Sequence, residues 1–250
     1  MRKYLLSIED LMGPAAEGLW EQAFYGVDSE RRQKAERLGA KRPRAACLGA
    51  GLLLQLALRE ALEADGGGQG PAAYPGDFRE AGGAFCGGPE GFTVCGLLER
   101  LGGRPPLPLT FRYGGRGKPY LREYPFFFNL SHSGSFCICA LSGEEVGADI
   151  QQHRPGAGMR IAKRYFAGRE TAALEECKEG GDALFFRLWT RKEAYGKLTG
   201  EGIAGAAGMD LLPEAALGTG LSESCLPGGK RLLWEEYCIP GYSISFCRYS

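Results

Sequence analysis

The sequence has little of what several common function classes need. It holds only two histidines in 250 residues, and its nine cysteines are scattered with no Cys-X-X-Cys pair. A zinc site therefore has few ligands to draw on, and an odd cysteine count suits reduced thiols in a cytoplasm better than a disulfide framework. Net charge is absent too: 30 basic side chains balance 30 acidic ones. That balance argues against duplex nucleic acid or an anionic membrane as the main partner. The longest apolar run, "AACLGAGLLLQLAL", is 14 residues containing Gln55 and is too short to span a bilayer. At the N-terminus, "MRKYLLSIEDLMG" is interrupted by Ser7, Glu9 and Asp10 and does not read as a signal peptide. No short repeat period is visible.

What is present is ordinary globular composition, 44% hydrophobic, enough for one large domain or two small ones. "KYLLSI" predicts a strand, "EGLWEQAF" and "DSERRQKAERL" predict short helices, and Pro43 suits the first turn of a longer helix running to about Ala64. From Asp65 to Pro106 the texture changes, with 13 glycines and five prolines. That stretch reads as mostly loop, with one hairpin around "GFTVCGLL". "LPLTFRYGGRGKPYL" predicts a strand and a turn, "FCICAL" a buried strand and "EVGADI" a strand ending at Asp149. Helices are expected near 158–165, 168–178 and 182–199, and "KRLLWEEYCI" with "YSISFC" predicts a closing hairpin around "PG". Strand, helices, strands, helices and strands in that order fit an α+β fold with two halves.

A few residues could carry chemistry. In "LWTRKEAYGKLTG", Trp189, Glu193 and Lys197 recur every four residues and share one helical face. Taken alone, an exposed Glu–Lys pair of about 0.3–0.5 kcal/mol explains them. Asp149 and Gln151, two apart on a strand, point the same way, and a carboxylate beside an amide oxygen suits Mg²⁺, although a solvated Asp is the commoner meaning. His132 in "NLSHSG" is expected in a small-residue turn, where a local hydrogen-bonding role is the usual one. Lys118 in "GRGKPYL" precedes a proline and could reach an anion from an extended segment. Residues 31–44 hold seven basic residues against one acid, a run that could grip phosphate or simply form a solvated helix face.

Together, "GKPYL", "FNLSHSG", "VGADIQ", "IAKRYF" followed by "RE", "LWTRKEAYGKLTGEGI" and "PGYSISFC" resemble the 4′-phosphopantetheinyl transferases. The type resembled is the larger monomeric one that serves carrier proteins of peptide, polyketide and fatty-acid synthases. The resemblance covers most of residues 112–250, with a fainter match at "RAACLGAGLLL". It implies two similar α/β halves related by a pseudo-twofold, 1–145 and 146–250, with the 65–106 stretch as an insertion. It also implies a cytoplasmic monomer that binds coenzyme A and Mg²⁺ and moves phosphopantetheine onto a serine of an apo acyl or peptidyl carrier protein. By the resemblance, Asp149 and Glu193 are the metal-binding acids, and Glu193 helps take the serine proton. Lys197 meets the pyrophosphate, His132 and Lys118 contact phosphate, and Arg42 and Arg44 fall near the nucleotide's 3′-phosphate. Gln151 stands where the family commonly has glutamate, which leaves it a weak metal ligand. A metal-dependent phosphodiesterase, or a non-catalytic homologue that only binds coenzyme A or a carrier protein, remains the alternative.

Overall fold

The computed structural model describes residues 1–14, 16–65, 89–156, 158–177, 179–212, 220–226 and 228–250. Chain order is β1 (Arg2–Ser7), a 3₁₀ turn (Glu9–Leu11), α1 (Glu17–Tyr25), α2 (Ser29–Glu36), α3 (Lys41–Asp65), β2 (Glu90–Thr93), α4 (Val94–Leu101), β3 (Phe111–Tyr113) and β4 (Pro119–Leu121). It continues with β5 (Phe127–Ser133), β6 (Phe136–Ser142), β7 (Val146–Gln152), α5 (Gly158–Tyr165), α6 (Gly168–Glu176), α7 (Gly181–Thr199) and α8 (Gly202–Ala206). The last strands are β8 (Gly220–Cys225), β9 (Arg231–Ile239) and β10 (Tyr242–Tyr249). The architecture is α+β.

Two four-stranded sheets dominate, ordered β2-β1-β6-β5 and β7-β10-β9-β8. In each, the first strand lies antiparallel to the last, and the last pairs with the strand before it. Each sheet also carries one long helix, α3 against β6, β1 and β5, and α7 against β7 and β10. The opposite faces meet in a shared core of Leu5, Ile138, Ala140, Val146, Ala148, Ile150, Ile244 and Phe246. Among the described residues β3 and β4 pair only with each other, as a separate ribbon.

Local chemistry explains the element boundaries. The Asp28 carboxylate accepts from the Arg31 amide at 2.9 Å and caps α2. The "GFTVCGLL" stretch is not the expected hairpin: Glu90–Thr93 adds to β1 in parallel, and Val94 then begins a helix. Thr93 caps that helix by accepting from Gly96, its apolar stripe buries Val94, Leu97 and Leu101, and left-handed Gly102 at φ 62° ends it. A second difference concerns β5 and β7, which are longer than their apolar runs. His132 lies within β5 rather than in the turn, which starts at Gly134, and β7 continues past Asp149 to Gln152. β8 and α8 fall where a glycine-rich link was expected. Most of the glycine-rich stretch, 66–88, lies outside the described residues.

Helix α3 is long and apolar enough to cross a membrane by composition, yet 89% of its most apolar window is buried inside the protein. The eight described cysteines are all free.

Candidate functional site

Strands β5 and β7 run side by side without a backbone ladder, and the side chains of "NLSHS" join them. Asn129, Ser131 and Ser133 alternate onto one face of β5. The Asn129 side-chain oxygen accepts from the Ala148 amide at 3.2 Å, the Ser131 hydroxyl donates to Asp149 Oδ1 at 2.7 Å, and the Ser133 hydroxyl accepts from the Gln152 amide at 3.0 Å. This seam holds Asp149 in place from the first sheet.

From the other side comes α7. The helix reaches the strand because Gly147 has no side chain: a Cβ there would come within 2.0 Å of the Ala194 carbonyl oxygen. Gly196 is equally constrained, its hypothetical Cβ falling 2.3 Å from the Gly202 carbonyl oxygen. Along α7, residues 184–188, 190–192, 194–196 and 198 are buried, whereas Trp189, Glu193 and Lys197 are each only partly so. The four-residue stripe read from the sequence is therefore the one face of this stretch that opens toward solvent. Trp189 packs on Phe185 and edge-on against Tyr165. Lys197 does not spend its charge on an exposed pair: its ammonium donates to Asp149 Oδ1 at 2.6 Å and to the Ser131 hydroxyl at 2.8 Å.

The other Asp149 oxygen, Oδ2, is buried and has no hydrogen-bond partner among the described residues. A buried lone oxygen of this kind needs a donor or a cation. Glu193 supplies a second carboxylate close enough to matter, for burial first and the Asp149 charge second hold its carboxyl above the usual 4.5, with Lys197 opposing. Two carboxylates with one free buried oxygen fit a hard cation such as Mg²⁺, which takes oxygen ligands and keeps several waters. Gln151 lies on the Asp149 side of β7, opposite Ser243. Among the described residues no group of three or more His, Cys, Asp or Glu side chains gathers as a metal cluster.

Next to these groups lies a pocket of about 310 Å³ lined by Glu30, Arg31 and Lys34 of α2, by Phe111, Tyr113 and Pro119 of the ribbon, and by Phe128, Asn129 and Leu130 of β5, with Lys197 at its edge. Its charge is positive at that edge. His132 is exposed at the surface, yet partial loss of hydration, then the charges of Lys197 and Lys34, hold its imidazole below the usual 6.5, against the opposing pull of Asp149. Arg31 and Lys34 are three apart on α2, so both reach the pocket from one helical face. That spacing was visible in the sequence within the basic run, but Arg42 and Arg44 were the residues expected at the phosphate. Neither lines this pocket. Arg42 donates to Glu9 at 2.6 Å and to the Ser135 hydroxyl at 3.2 Å, and the Arg44 guanidinium lies 5.7 Å from the Trp20 ring centre. Lys118 is also engaged, bonding Glu145 and the backbone carbonyls of Val146 at 3.2 Å and Leu198 at 2.8 Å. Ser131 and Asn129, missed as single residues, are found only once the strand pairing is known.

Behind the open stripe, α7 is held by buried ions. Arg187 and Arg191 converge on Glu236, with guanidinium-to-carboxylate distances of 2.8 and 2.7 Å. Burial pushes Glu236 up, but the two guanidiniums overcome it and hold its carboxyl below the usual range. Lys192 pairs with Glu170 at 2.8 Å, both side chains fully buried. Glu170 also accepts from the Ala167 and Leu211 amides.

An acid pair and a lysine thus meet beside a pocket that Arg31 and Lys34 also line, on a helix pressed to a strand. Residues 145–245 match the model of the 4′-phosphopantetheinyl transferase superfamily. Over 110 residues the chain is 39% identical to the 4′-phosphopantetheinyl transferase psf-1 of Bacillus pumilus, covering 43% of this chain and 47% of that protein. It is 41% identical over 109 residues to HetI of Nostoc, and 42% over 123 residues to AcpT of Salmonella typhi, both bearing the same enzyme name. The HetI match covers 41% of this chain and 46% of that protein, and the AcpT match 48% and 62%. The chain thus spans about half the length of the curated relatives it matches.

Proposed function

We propose that this protein transfers 4′-phosphopantetheine from coenzyme A to a serine of an apo acyl or peptidyl carrier protein, releasing adenosine 3′,5′-bisphosphate. The observation that carries this reading is the meeting of Asp149, Glu193 and Lys197 beside a pocket lined by Arg31, Lys34 and Lys197, with His132 near enough to feel their charge. On this reading the nucleotide end of coenzyme A occupies the pocket, its phosphates met by Arg31, Lys34 and His132 through charge-assisted hydrogen bonds. Asp149 Oδ2 and Glu193 would hold Mg²⁺, with Gln151 at most a weak contributor through a water. Bound there, the cation would neutralise charge on the pyrophosphate.

The chain's own groups account for the remaining chemistry. The carrier serine oxygen attacks the phosphorus that bears pantetheine, and the bond from that phosphorus to the bisphosphate oxygen breaks. Glu193, partly open to solvent, would take the serine proton. Lys197, anchored by Asp149 and Ser131, would meet the charge that develops on the leaving phosphate. The 1–145 and 146–250 segments are read as two halves related by a pseudo-twofold, supported by the matching strand connections of the two sheets. A monomer acting in the cytoplasm follows from the same reading, and the free cysteines support it.

The test is mass spectrometry of apo carrier proteins from peptide, polyketide and fatty-acid synthases incubated with this protein. One added phosphopantetheine is expected only when coenzyme A and Mg²⁺ are both present. No gain on any carrier, with coenzyme A hydrolysed in its absence, would make the protein a phosphodiesterase; coenzyme A bound but unchanged would make it a binding homologue.

A further inference from the structure

The ribbon β3–β4 belongs to neither sheet, yet it supplies three of the pocket's lining residues: Phe111, Tyr113 and Pro119. A two-stranded ribbon is marginally stable by itself and must be held by something else. One end is held on α2, where the Tyr113 hydroxyl donates to Glu30 at 3.2 Å and the Arg31 guanidinium lies 5.9 Å from the Phe111 ring centre. The other end is its tight turn, closed by the Gly114 amide donating to the Lys118 carbonyl at 2.9 Å. That turn sits on the C-terminal end of α7. A Cβ at Gly200, the left-handed residue ending the helix, would lie 3.4 Å from the β-carbons of Arg116 and Lys118. Arg116 pairs with Glu201 at 2.6 Å.

Lys118 makes the strongest tie. Its ammonium donates to Glu145 and to the Val146 and Leu198 carbonyls, joining the ribbon, the start of β7 and the last turn of α7. An ammonium has three protons to donate, and all three are used. The Leu198 carbonyl also belongs to the last turn of α7, where a cation is favoured.

We infer that Lys118 is a positioning residue, a latch that holds the ribbon as the wall of the nucleotide pocket and fixes the end of the helix that carries Lys197. It acts through Glu145 and the two carbonyls and does not touch the ligand's phosphates. The role rests on coenzyme A being the pocket's ligand, but the latch itself is a property of the free protein.

Two variants separate the latch from a phosphate contact. Lys118→Met removes the ammonium. Glu145→Gln leaves the ammonium but takes away its partner, at a residue that does not line the pocket. A latch predicts that both weaken coenzyme A binding, measured by calorimetry, by about tenfold to a hundredfold, as expected for loss of a hydrogen bond to a charged group. The double variant should be no worse than Lys118→Met. Amide exchange across residues 111–121 of the free protein should quicken in both. A phosphate contact predicts the opposite for Glu145→Gln, because a released lysine would bind the anion as well or better. Unchanged exchange in the ribbon, or weaker binding in Lys118→Met alone, would overturn the proposal. Wild-type protein that binds no coenzyme A would instead sink the proposed activity, while the exchange measurement would still decide whether Lys118 latches the ribbon.

Discussion

The two long helices occupy similar places, each laid on a four-stranded sheet, yet they bury very different side chains. Helix α3 is Leu- and Ala-rich, and its buried polar groups, Gln55 and Glu60, are few. Gln55 donates to the Leu107 carbonyl at 3.1 Å and accepts from the Leu107 amide at 2.7 Å, while Glu60 takes bonds from Tyr4 and Arg100. Helix α7 buries Arg187, Thr190, Arg191 and Lys192 on its hidden faces and leaves Glu193 and Lys197 on the open one. Apolar packing suffices to hold a helix, so the ions of α7 need another reason. Buried ion pairs give little net stability but are sensitive to geometry. Here they tie the helix to β9 through Glu236 and to α6 through Glu170, which fixes the rotation that aims the open stripe at Asp149.

That contrast predicts where substitution hurts most. Lys192→Met leaves Glu170 buried without its ammonium and should cost about 3–5 kcal/mol in denaturant unfolding, more than Gln55→Leu on α3, which unpairs neutral groups for about 1–3 kcal/mol. If the two cost the same, the ions of α7 are ordinary packing. On the open face, Glu193→Gln and Lys197→Ala should each lower turnover at least about a hundredfold while the unfolding midpoint stays near wild type. Near-wild-type rates would return the stripe to an exposed surface pair. Neutralising Arg31 and Lys34 together should raise the Michaelis constant for coenzyme A about tenfold with a smaller effect on turnover, and the loss should shrink at high salt. The same change at Arg42 and Arg44 should do less, since those side chains face Glu9 and Trp20.

The smallest expected effect is on pH. His132 is held below 6.5 in the free protein, so its neutral form is favoured, and the stability it contributes is present above 6.5 and lost as pH falls through the lowered value. An anion beside the ring reverses the preference. Coenzyme A binding should therefore take up a fraction of a proton near and below 6.5, measured by calorimetry in two buffers, and His132→Asn should reduce that uptake.

Much of this contrast was legible in the sequence, because helical and strand periods are local. The spacing of Trp189, Glu193 and Lys197 already defined one face, and Asp149 stood in a strand whose apolar patterning was clear, whereas His132 was expected in a turn and lies within β5. The rest depended on which segments meet. Nothing local says that Lys197 will choose Asp149 over Glu193, or that Ser131 will join them. The basic run showed its charge but not its aim: the same three-residue spacing recurs at Lys34–Arg37 and Lys41–Arg44, so nothing local marks Arg31 and Lys34 as the pair that lines the pocket. Lys118 was expected to reach an anion because its partners, Glu145, Val146 of β7 and Leu198 of α7, lie far along the chain. "GFTVCGLL" misled because four residues of strand run straight into a helix, and a Thr cap is easily read as a turn.

The site's central claim is that two carboxylates, Asp149 and Glu193, hold the cation while Gln151 stands aside. A Mg²⁺ titration of the transfer rate at saturating coenzyme A, for wild type, Asp149→Asn and Gln151→Ala, tests it most directly. Asp149→Asn should raise the half-maximal Mg²⁺ concentration sharply or abolish the rate, and Gln151→Ala should leave it close to wild type; Gln151→Ala as damaging as Asp149→Asn would contradict the account.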